Sequence, residues 1–380
     1  MANVRIALFT PFNPGTGGGG VIFRSLIPYL RGAEVQWFYL ANSTSDLAGT
    51  TRLGPLILGG PFAADGMASV RLFVLRRDAG IDEHVKAILD WAPDVAWVNA
   101  MNEGLLVGTK LRDRGVKRLH VSVHDDPAGL AQKSRRYRLF APFIDRCTRA
   151  LLKRADSVDV VCDAMRAYYS DRFGINSGVV FRYIHELNLP PVEDADESIV
   201  TIGHVGSAYS APEVFAFLNA LRSISESDGT RFRFVNFGKS PAMTAAEREF
   251  PEMVESAGDV AEPEVVRRLQ QCRFLYSMYS FNPRHRVFRE TSQPTKMSTY
   301  LMAAKPILAH CLAGSSTQDM LSRFKLGLCV TSMESAEIVN GIRGMLNFSL
   351  ERDEVRRAAE YYCGEQNLKR LGAFLGLSLP

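Results

Sequence analysis

Residues 4–30 read VRIALFTPFNPGTGGGGVIFRSLIPYL, and this stretch decides the fold class. Val4 to Thr10 has the β-branched, apolar pattern of a buried strand, and Pro11 to Pro14 ends it. Gly15 and Gly17 to Gly20 then lead into a helical pattern over Val21 to Leu30. We therefore predict a strand, a glycine loop and a helix N-terminus. Backbone N–H groups and the helix dipole there favour a phosphate or a crowded sugar.

The glycine spacing also fits the fingerprint of dinucleotide-binding folds. Gly15, Gly17 and Gly20 have its literal spacing, but Phe12-Asn13-Pro14 separates the first glycine from the strand. The next strand pattern, Val35 to Leu40, is followed by no acid that could hold a ribose. A dinucleotide site and a purely structural flexible loop both stay open as alternatives.

Strand-like and helix-like segments alternate along the sequence, which is typical of parallel α/β architecture. We predict two tandem Rossmann-like, doubly wound domains, residues 1–190 and 198–354, joined by a Pro-Pro and acidic linker at 191–197. A C-terminal helix at 355–376 is expected to pack back on the first domain. Ligands bind beyond the carboxyl ends of such strands, so the domains are expected to face each other across a cleft. The predicted strands are Val4–Thr10, Val35–Leu40, Val70–Leu75, Val95–Val98, Leu119–His124, Val158–Cys162, Val179–Ile184, Ile199–Val205, Phe232–Phe237, Phe274–Tyr279, Pro306–Cys311 and Leu326–Thr331.

Composition is that of a soluble globular protein. The chain has 380 residues and a net charge of +4. It contains no run of about 18 uncharged apolar residues and no signal-peptide pattern, so we expect a cytoplasmic protein. Six scattered cysteines favour reduced thiols over disulfides or a zinc site, and no metal is predicted.

The basic charge is concentrated between Lys133 and Arg154. Tyr137, Ile144 and Leu151 recur there at helical spacing, which predicts an amphipathic basic helix with a possible kink at Pro142. One interpretation is a surface helix whose apolar face packs on the core. The other is a peripheral membrane surface for anionic head groups on the inner face of a bilayer. Nucleic acid is not an expected partner, because aromatic residues are not interleaved on the basic face.

The second half carries the richest candidate site. A loop with three arginines follows the strand Phe274 to Tyr279, and Thr295-Lys296 begins a helix just after Pro294. A lysine at a helix N-terminus opposes the helix dipole unless an anion is bound. Together, lysine, arginine and first-turn N–H groups predict a diphosphate site, with a solvated basic loop as the alternative.

Residues 294–309, PTKMSTYLMAAKPILA, resemble the donor-binding segment of nucleotide-sugar-dependent glycosyltransferases of the GT-B fold, particularly retaining family 4. The usual form there is Pro-Ser-Lys, a helix with Tyr-Leu-Ala-Ala-Gly, then Lys-Pro-Ile-Leu-Ala. The glycine run, the His124-Asp125-Asp126 segment and a second-domain strand ending in Gly206-Ser207 also occur in the family's order. The resemblance thus covers most of the chain.

The resemblance implies roles for particular residues. His124 would contact the donor sugar near its reacting carbon, and Arg289 and Lys296 would stabilise the departing nucleoside diphosphate. The residues that would line the donor are Gly17, Gly18, Gly19, Gly206, Ser207, Lys239, Arg289, Lys296 and Thr299. No cofactor is implied beyond a UDP- or GDP-type donor. Apart from the resemblance, His120 and His124 lie on one face of their predicted strand, where a metal pair and core histidines are the two alternatives.

The sequence departs from the family at two glutamates spaced eight apart, whose positions hold Thr291 and Thr299 here. Glu290 lies beside the first position and is the candidate to replace that glutamate. Gly206 is followed by Ser207-Ala208-Tyr209 instead of the family's Arg and Lys. We expect a retaining glycosyltransferase that acts on a glycan, a lipid-linked or a small-molecule acceptor. A nucleotide-sugar epimerase and a non-catalytic sugar-nucleotide-binding relative remain as alternatives.

Overall fold

The computed structural model describes residues 3–58, 66–189 and 199–378. The chain divides into two compact units. The first comprises Met1–Ile184, Arg284–Gln293 and Cys363–Pro380, and the second comprises His185–Pro283 and Pro294–Tyr362. The predicted linker 191–197 lies outside the described residues.

The first unit contains a parallel sheet of seven strands in the order β3-β2-β1-β4-β5-β6-β7. Its strands are β1 (Val4–Thr10), β2 (Ala33–Leu40), β3 (Thr50–Gly54), β4 (Val95–Asn99), β5 (Arg118–Val123), β6 (Ser157–Val160) and β7 (Gly178–Val179). The central strand β4 is buried along its whole length because helices cover both faces of such a sheet, so it reads as a continuous apolar run. The strand order reverses between β1 and β4, which makes the sheet doubly wound as predicted.

Seven helices of the first unit connect these strands. They are α1 (Gly17–Leu26), α2 (Gly66–Ser69), α3 (Ala79–Asp90), α4 (Gly104–Asp113), α5 (Pro127–Gln132), α6 (Ala141–Leu152) and α7 (Asp163–Phe173). Shorter helical pieces are the 3₁₀ turns Ile27–Tyr29 and Tyr137–Phe140 and a π-helical segment Val70–Leu75.

The second unit contains a parallel sheet of six strands in the order β10-β9-β8-β11-β12-β13. The strands are β8 (Val200–Val205), β9 (Phe232–Phe237), β10 (Val254–Gly258), β11 (Phe274–Met278), β12 (Ile307–His310) and β13 (Gly327–Val330). Its first helices are α8 (Ala211–Asp228), α9 (Pro241–Glu249) and α10 (Glu262–Leu269). Phe217, Phe234 and Tyr276 lie at the centre of its core, where the rings of Phe217 and Tyr276 stack at 4.0 Å.

The chain passes between the units more than once. After β11 it returns to the first unit through the 3₁₀ turn Pro283–His285 and α11 (Arg286–Thr291). It then forms α12 (Lys296–Ala303), α13 (Ser316–Phe324), α14 (Ser335–Leu346) and α15 (Arg352–Cys363) in the second unit. The last helix, α16 (Glu365–Leu375), packs on β5 and β6 of the first unit, where the Phe374 ring stacks 5.3 Å from that of His120.

Three of the predicted elements differ from the structure. The expected strand Val70–Leu75 is helical, and its adjacent side chains Leu72 and Phe73 are both buried, whereas a strand would alternate them. A short apolar run fits either structure, so periodicity alone could not separate them. The expected strand Val179–Ile184 is reduced to Gly178–Val179, and the loop with three arginines contains α11.

The basic segment is also not one kinked helix. The turn Tyr137–Phe140 precedes α6, and Pro142 lies in the first turn of α6, where a residue without an N–H costs no hydrogen bond. Tyr137, Ile144 and Leu151 are buried, as the apolar spacing predicted. Within the described ranges, no helix is long and apolar enough to cross a membrane.

Candidate functional site

In the second sheet the ladder between β8 and β11 ends early at the point where the strand order reverses, and we call this place the crevice. Strands β8 and β11 are neighbours, but they pair only at Ile202 with Phe274 and at Gly203 with Leu275. Beyond these pairs the two strands separate toward their carboxyl ends. In doubly wound sheets this separation is the position where ligands bind.

Tyr300 of α12 connects the separated strands. Its buried hydroxyl accepts a hydrogen bond from the Val205 N–H of β8 at 3.2 Å and donates one to the Tyr276 carbonyl of β11 at 2.7 Å. Each backbone group would otherwise be buried without a partner, which costs free energy. The contact fixes α12 at the crevice, with Lys296 as its first residue, where the sequence predicted a helix start.

Two glycine turns border the crevice after β8 and β9. Gly206 has a φ of 76° and Gly238 a φ of 119°, values that favour glycine. A Cβ on Gly238 would lie 3.1 Å from the Cα of Gly206, so the two turns are in close contact. Ser207 is exposed, and the exposed Lys239 ammonium lies 3.4 Å from an Asp259 carboxylate oxygen.

Lys296 is the most unusual charged residue of this crevice. Its side chain is buried, with Nζ 2.9 Å from Nε2 of His204 and donating to the Ser207 carbonyl at 3.2 Å. The Tyr209 ring centre is 5.0 Å from Nζ. Burial lowers the pKa of Lys296 from 10.5 to about 7. Among the described residues no carboxylate pairs with this ammonium, so the protonated form of Lys296 has no counter-charge.

His204 contacts Lys296 and is itself in contact with Asn236, and no local sequence pattern predicted a role for either residue. They occupy the same register position on the paired strands β8 and β9, and Nδ1 of His204 is 2.8 Å from Oδ1 of Asn236. Burial, and then the charge of Lys296, hold the pKa of His204 well below its usual value. Two polar residues that face each other on adjacent buried strands indicate a functional site, but this signal can be used only when the strand register is known.

Thr299 lies one turn after Lys296 and has a partner that no local sequence pattern predicted. Its hydroxyl donates to a carboxylate oxygen of Glu262, in the first turn of α10, at 3.1 Å. The resemblance expected an acid at position 299. The structure instead places an acid from another helix against the threonine.

The glycine run of the first unit is not a loop. Helix α1 begins at Gly17, so Gly17–Gly20 forms its first turn, four residues earlier than predicted. Gly17 has a φ of 70°, and a Cβ on Gly19 would lie 2.7 Å from the Phe12 ring. The run is glycine because the chain turns and packs tightly there, while Gly17 and Gly18 remain exposed.

The segment before α1 is held by Asn13. Its side chain accepts a hydrogen bond from the Gly15 N–H at 2.8 Å and donates to the Thr44 carbonyl at 2.8 Å. These bonds tie the connection between β1 and α1 to the residues that follow β2.

His124 directly follows β5 in the first unit. Its ring lies 4.8 Å from that of Phe23 in α1, so it is near the helix that the glycine run begins. Burial lowers the pKa of His124 to about 4, which keeps the imidazole neutral at pH 7. Its Nδ1 is buried and accepts or donates no hydrogen bond among the described residues.

The helix α11 places Arg289 and Glu290 in the first unit, whereas Lys296 belongs to the second. Arg289 is buried, and Glu290 is partly exposed and accepts from Arg286 Nε at 2.9 Å. Thr291, at the position of the family's first glutamate, donates back to the Val287 carbonyl at 2.6 Å.

Other contacts of the first unit fix α11 and the His120 side chain. Ser292 donates to an Asp125 carboxylate oxygen at 2.6 Å, and the buried His120 ring lies 2.6 Å from an Asp159 oxygen. The described residues contain no group of three or more His, Cys, Asp or Glu arranged to hold a metal ion.

The predicted site residues thus fall into two groups. The second unit brings Lys296 directly to Ser207 and places both near Gly206, and it also contains Lys239 and Thr299. The first unit contains Gly17, Gly18, Gly19, His124, Arg289 and Glu290.

No known protein family and no curated protein matches the sequence, but solved structures match its fold. An alpha,alpha-trehalose-phosphate synthase (UDP-forming) from Burkholderia vietnamiensis matches with a TM-score of 0.67 at 12% identity, over 98% of this chain and 98% of that one. WaaG, a glycosyltransferase involved in lipopolysaccharide biosynthesis, matches with a TM-score of 0.65 at 15% identity, over 97% of each chain.

Two further matches differ from these in activity or in length. A putative UDP-N-acetylglucosamine 2-epimerase from Listeria monocytogenes has a TM-score of 0.62 at 12% identity, over 100% of this chain and 99% of that one. TarM matches with a TM-score of 0.58 at 13% identity, and the alignment spans 78% of this chain but only 58% of TarM. The chain therefore has the GT-B fold, which is found in both glycosyltransferases and an epimerase.

Proposed function

We propose that this chain is a glycosyltransferase that moves a sugar from a nucleoside diphosphate sugar to an acceptor. The observation that carries the proposal is Lys296, a buried lysine with neutral partners at the crevice of the second sheet. A buried cation without a counter-charge is costly, and a bound diphosphate would supply that charge. In this proposal the second unit binds the donor diphosphate.

The donor is proposed to be of the UDP type. UDP is named for the trehalose-phosphate synthase and is bound in a TarM complex from S. aureus. In this chain Lys296 would face the diphosphate, with the exposed Ser207 and Lys239 beside it. Arg289 is the further cation that we propose for the leaving group. No cofactor beyond the donor is part of the proposal.

The proposed chemistry is transfer with retention, which follows the resemblance of residues 294–309 to a retaining family. The bond between the anomeric carbon and the phosphate oxygen breaks, and its electron pair stays on the departing diphosphate. The acceptor hydroxyl oxygen bonds to the same face of that carbon, and its proton passes to the diphosphate. Lys296 and Arg289 would stabilise the charge that develops on the leaving group.

His124 is proposed to contact the donor sugar near its reacting carbon, and Gly17, Gly18 and Gly19 to approach the donor or the acceptor. A neutral imidazole can accept or donate a hydrogen bond to a sugar hydroxyl without adding charge. Glu290 is proposed as the carboxylate that replaces the missing glutamate. The acceptor is a glycan, a lipid-linked sugar or a small molecule, and its hydroxyl must reach the donor carbon.

A thermal-shift panel of UDP, GDP, ADP, TDP and CMP, each with its sugars, tests the donor site. A ligand that binds only the folded chain raises its melting temperature. We expect a shift with UDP that is lost in Lys296→Met and kept in Lys325→Met, a matched change at an exposed lysine of the second unit. Transfer should also be lost in Lys296→Ala. No response to any nucleotide, or full transfer by Lys296→Ala, would refute the proposal.

An epimerase is the second candidate, because one of the matching structures is a putative UDP-N-acetylglucosamine 2-epimerase. Incubation with the donor and no acceptor separates the two activities. An epimerase changes the sugar while it stays on the nucleotide, whereas a transferase needs an acceptor. Stabilisation by a nucleotide sugar without turnover of either kind would instead indicate a non-catalytic binding protein.

We further propose that residues 133–154 dock peripherally on an anionic bilayer from the cytoplasmic side. Arg135, Arg136, Arg138 and Arg146 form no ion pair with a described residue, and Leu139 among them is 70% exposed. Exposed apolar and basic side chains together suit lipid head groups.

Vesicle flotation with phosphatidylglycerol tests this surface. Changing Arg135, Arg136 and Arg138 to Glu should abolish binding. The same changes at Arg231, Arg233 and Arg248, which are exposed in the second unit, should not. If the variant with Glu at positions 135, 136 and 138 still binds the vesicles, residues 133–154 have only a structural role.

A further inference from the structure

The hydrogen bonds beneath Lys296 define the orientation of each polar group, beginning with a backbone carbonyl. The Gly238 carbonyl can only accept, and the Asn236 side chain lies 2.7 Å from it. The amide must therefore present its Nδ2 to the carbonyl, which leaves Oδ1 facing Nδ1 of His204. The orientation of Asn236 follows from that backbone oxygen.

The amide in turn fixes the tautomer of His204. Because Oδ1 of Asn236 only accepts, Nδ1 of His204 carries the proton and Nε2 presents its lone pair. That lone pair faces Nζ of Lys296 at 2.9 Å. A second proton on His204 would put an N–H against the ammonium, and burial also opposes it.

The remaining surroundings of Lys296 are neutral. Nζ also donates to the Ser207 carbonyl, and the Tyr209 ring is 5.0 Å away. One helical turn later, the Tyr300 hydroxyl bonds to two backbone groups, the Val205 N–H and the Tyr276 carbonyl. Glu262, at the start of α10, accepts a hydrogen bond from Thr299 at 3.1 Å. Hydrogen bonds hold the lysine in place, and none of its hydrogen-bond partners carries a negative charge.

We propose that His204 and Asn236 are positioning residues for Lys296, holding its ammonium at the crevice by neutral acceptors so that its charge remains for an anionic ligand. The proposal rests on the proposed function, in which that ligand is the diphosphate of the donor. A carboxylate at the place of His204 would also orient the lysine. It would form a permanent ion pair, however, and would repel the diphosphate.

The arrangement couples diphosphate binding to a proton. The free ammonium loses its proton near neutral pH because it is buried, and a bound diphosphate favours the charged form. Binding should therefore take up a proton increasingly as the pH rises above 7. Affinity should fall over the same range until the pKa of the bound form is reached.

Calorimetry with UDP and with inorganic pyrophosphate, from pH 6 to pH 9, tests the proposal. Pyrophosphate lacks the base and the ribose, so it reports on the anion site alone. Two buffers of different ionisation enthalpy give the number of protons taken up. The ionisation of the ligand itself is common to all variants and cancels in their comparison.

The variants are His204→Leu, His204→Gln and Asn236→Leu. His204→Leu removes the acceptor, and we expect about tenfold weaker binding, the effect of one hydrogen bond to a charged group. The pH at which affinity falls should also move lower, because the charged lysine has lost a partner. His204→Gln can place an amide oxygen near the position of Nε2 and should restore most of the affinity. Asn236→Leu removes no contact of Lys296, but it no longer fixes the proton of His204 on Nδ1. The pH at which affinity falls should therefore again move lower.

A loss of folding stability alone would not move the pH dependence, which separates positioning from a structural role. If folded His204→Leu and Asn236→Leu both keep the affinity and pH dependence of the unmodified chain, the positioning role is wrong. If Lys296→Met binds UDP like the unmodified chain, the proposed function itself fails. If only Lys296→Met loses binding, the function stands without the positioning role.

Discussion

At the scale of single residues, Lys296 should make the free protein less stable. Its pKa falls from 10.5 to about 7 on folding, so the folded state binds the proton less tightly than the unfolded chain does. The shift corresponds to about 5 kcal/mol at pH values below 7, from about 1.4 kcal/mol per pH unit. Burial causes this shift, although Nζ of Lys296 donates hydrogen bonds to Nε2 of His204 and to the Ser207 carbonyl.

We therefore expect Lys296→Met to raise the free energy of unfolding at pH 7 while it abolishes nucleotide binding. The gain should amount to about 2 kcal/mol, because the substitution also leaves Nε2 of His204 and the Ser207 carbonyl without their donor. It should shrink as the pH rises from 7 toward 10.5, where the unfolded chain loses the same proton. Denaturant unfolding at several pH values measures it. Lys325→Met is the control, since Lys325 is exposed. A gain that does not depend on pH would contradict this explanation.

At the scale of secondary-structure elements, one hydroxyl holds α12 at the separated strands β8 and β11. Tyr300→Phe removes it and leaves the Val205 N–H and the Tyr276 carbonyl without their partner. We expect a loss of about 2 kcal/mol in the free energy of unfolding, the usual cost of such buried groups. The half-exposed Tyr361 of the same unit provides the control: Tyr361→Phe should change stability by less than about 0.5 kcal/mol. Equal losses in the two variants would argue against the bridging role of Tyr300.

The sequence predicted elements well where local pattern is decisive. The apolar runs at β1 and β4 and the helix that begins at Lys296 follow from periodicity and from the proline before it. The edge strands β3 and β10 were missed, because a strand with one neighbour needs little apolar alternation. At Val70–Leu75 the same apolar run fitted a strand and a helix equally.

The candidate site was only partly predictable, because its contacts depend on tertiary structure. Lys296 could be chosen from its charge at a helix start. His204 meets Asn236 only because β8 and β9 pair in that register, and neither residue stands out locally. Nor does any local pattern indicate that α11, between two segments of the second unit, belongs to the first.

At the scale of the whole molecule, the chain passes between its two units at four points, and its last helix belongs to the unit that contains its beginning. Leu371 on α16 is fully buried, and Asn367 accepts a hydrogen bond from the Phe181 N–H at 3.0 Å. The three tryptophans, Trp37, Trp91 and Trp97, all lie in the first unit. Tryptophan fluorescence therefore reports on that unit.

Leu371→Ala should consequently destabilise the fluorescence-detected transition, although Leu371 lies near the C-terminus and far in sequence from every tryptophan. We expect a loss of about 3 kcal/mol, within the range for a leucine truncated in a packed core. Leu321→Ala is the matched control, because Leu321 on α13 is equally buried but belongs to the second unit. It should affect amide hydrogen exchange in β12 and β13 more than it affects the fluorescence transition. If Leu321→Ala lowered that transition as much as Leu371→Ala, α16 would not be a specific part of the first unit's core.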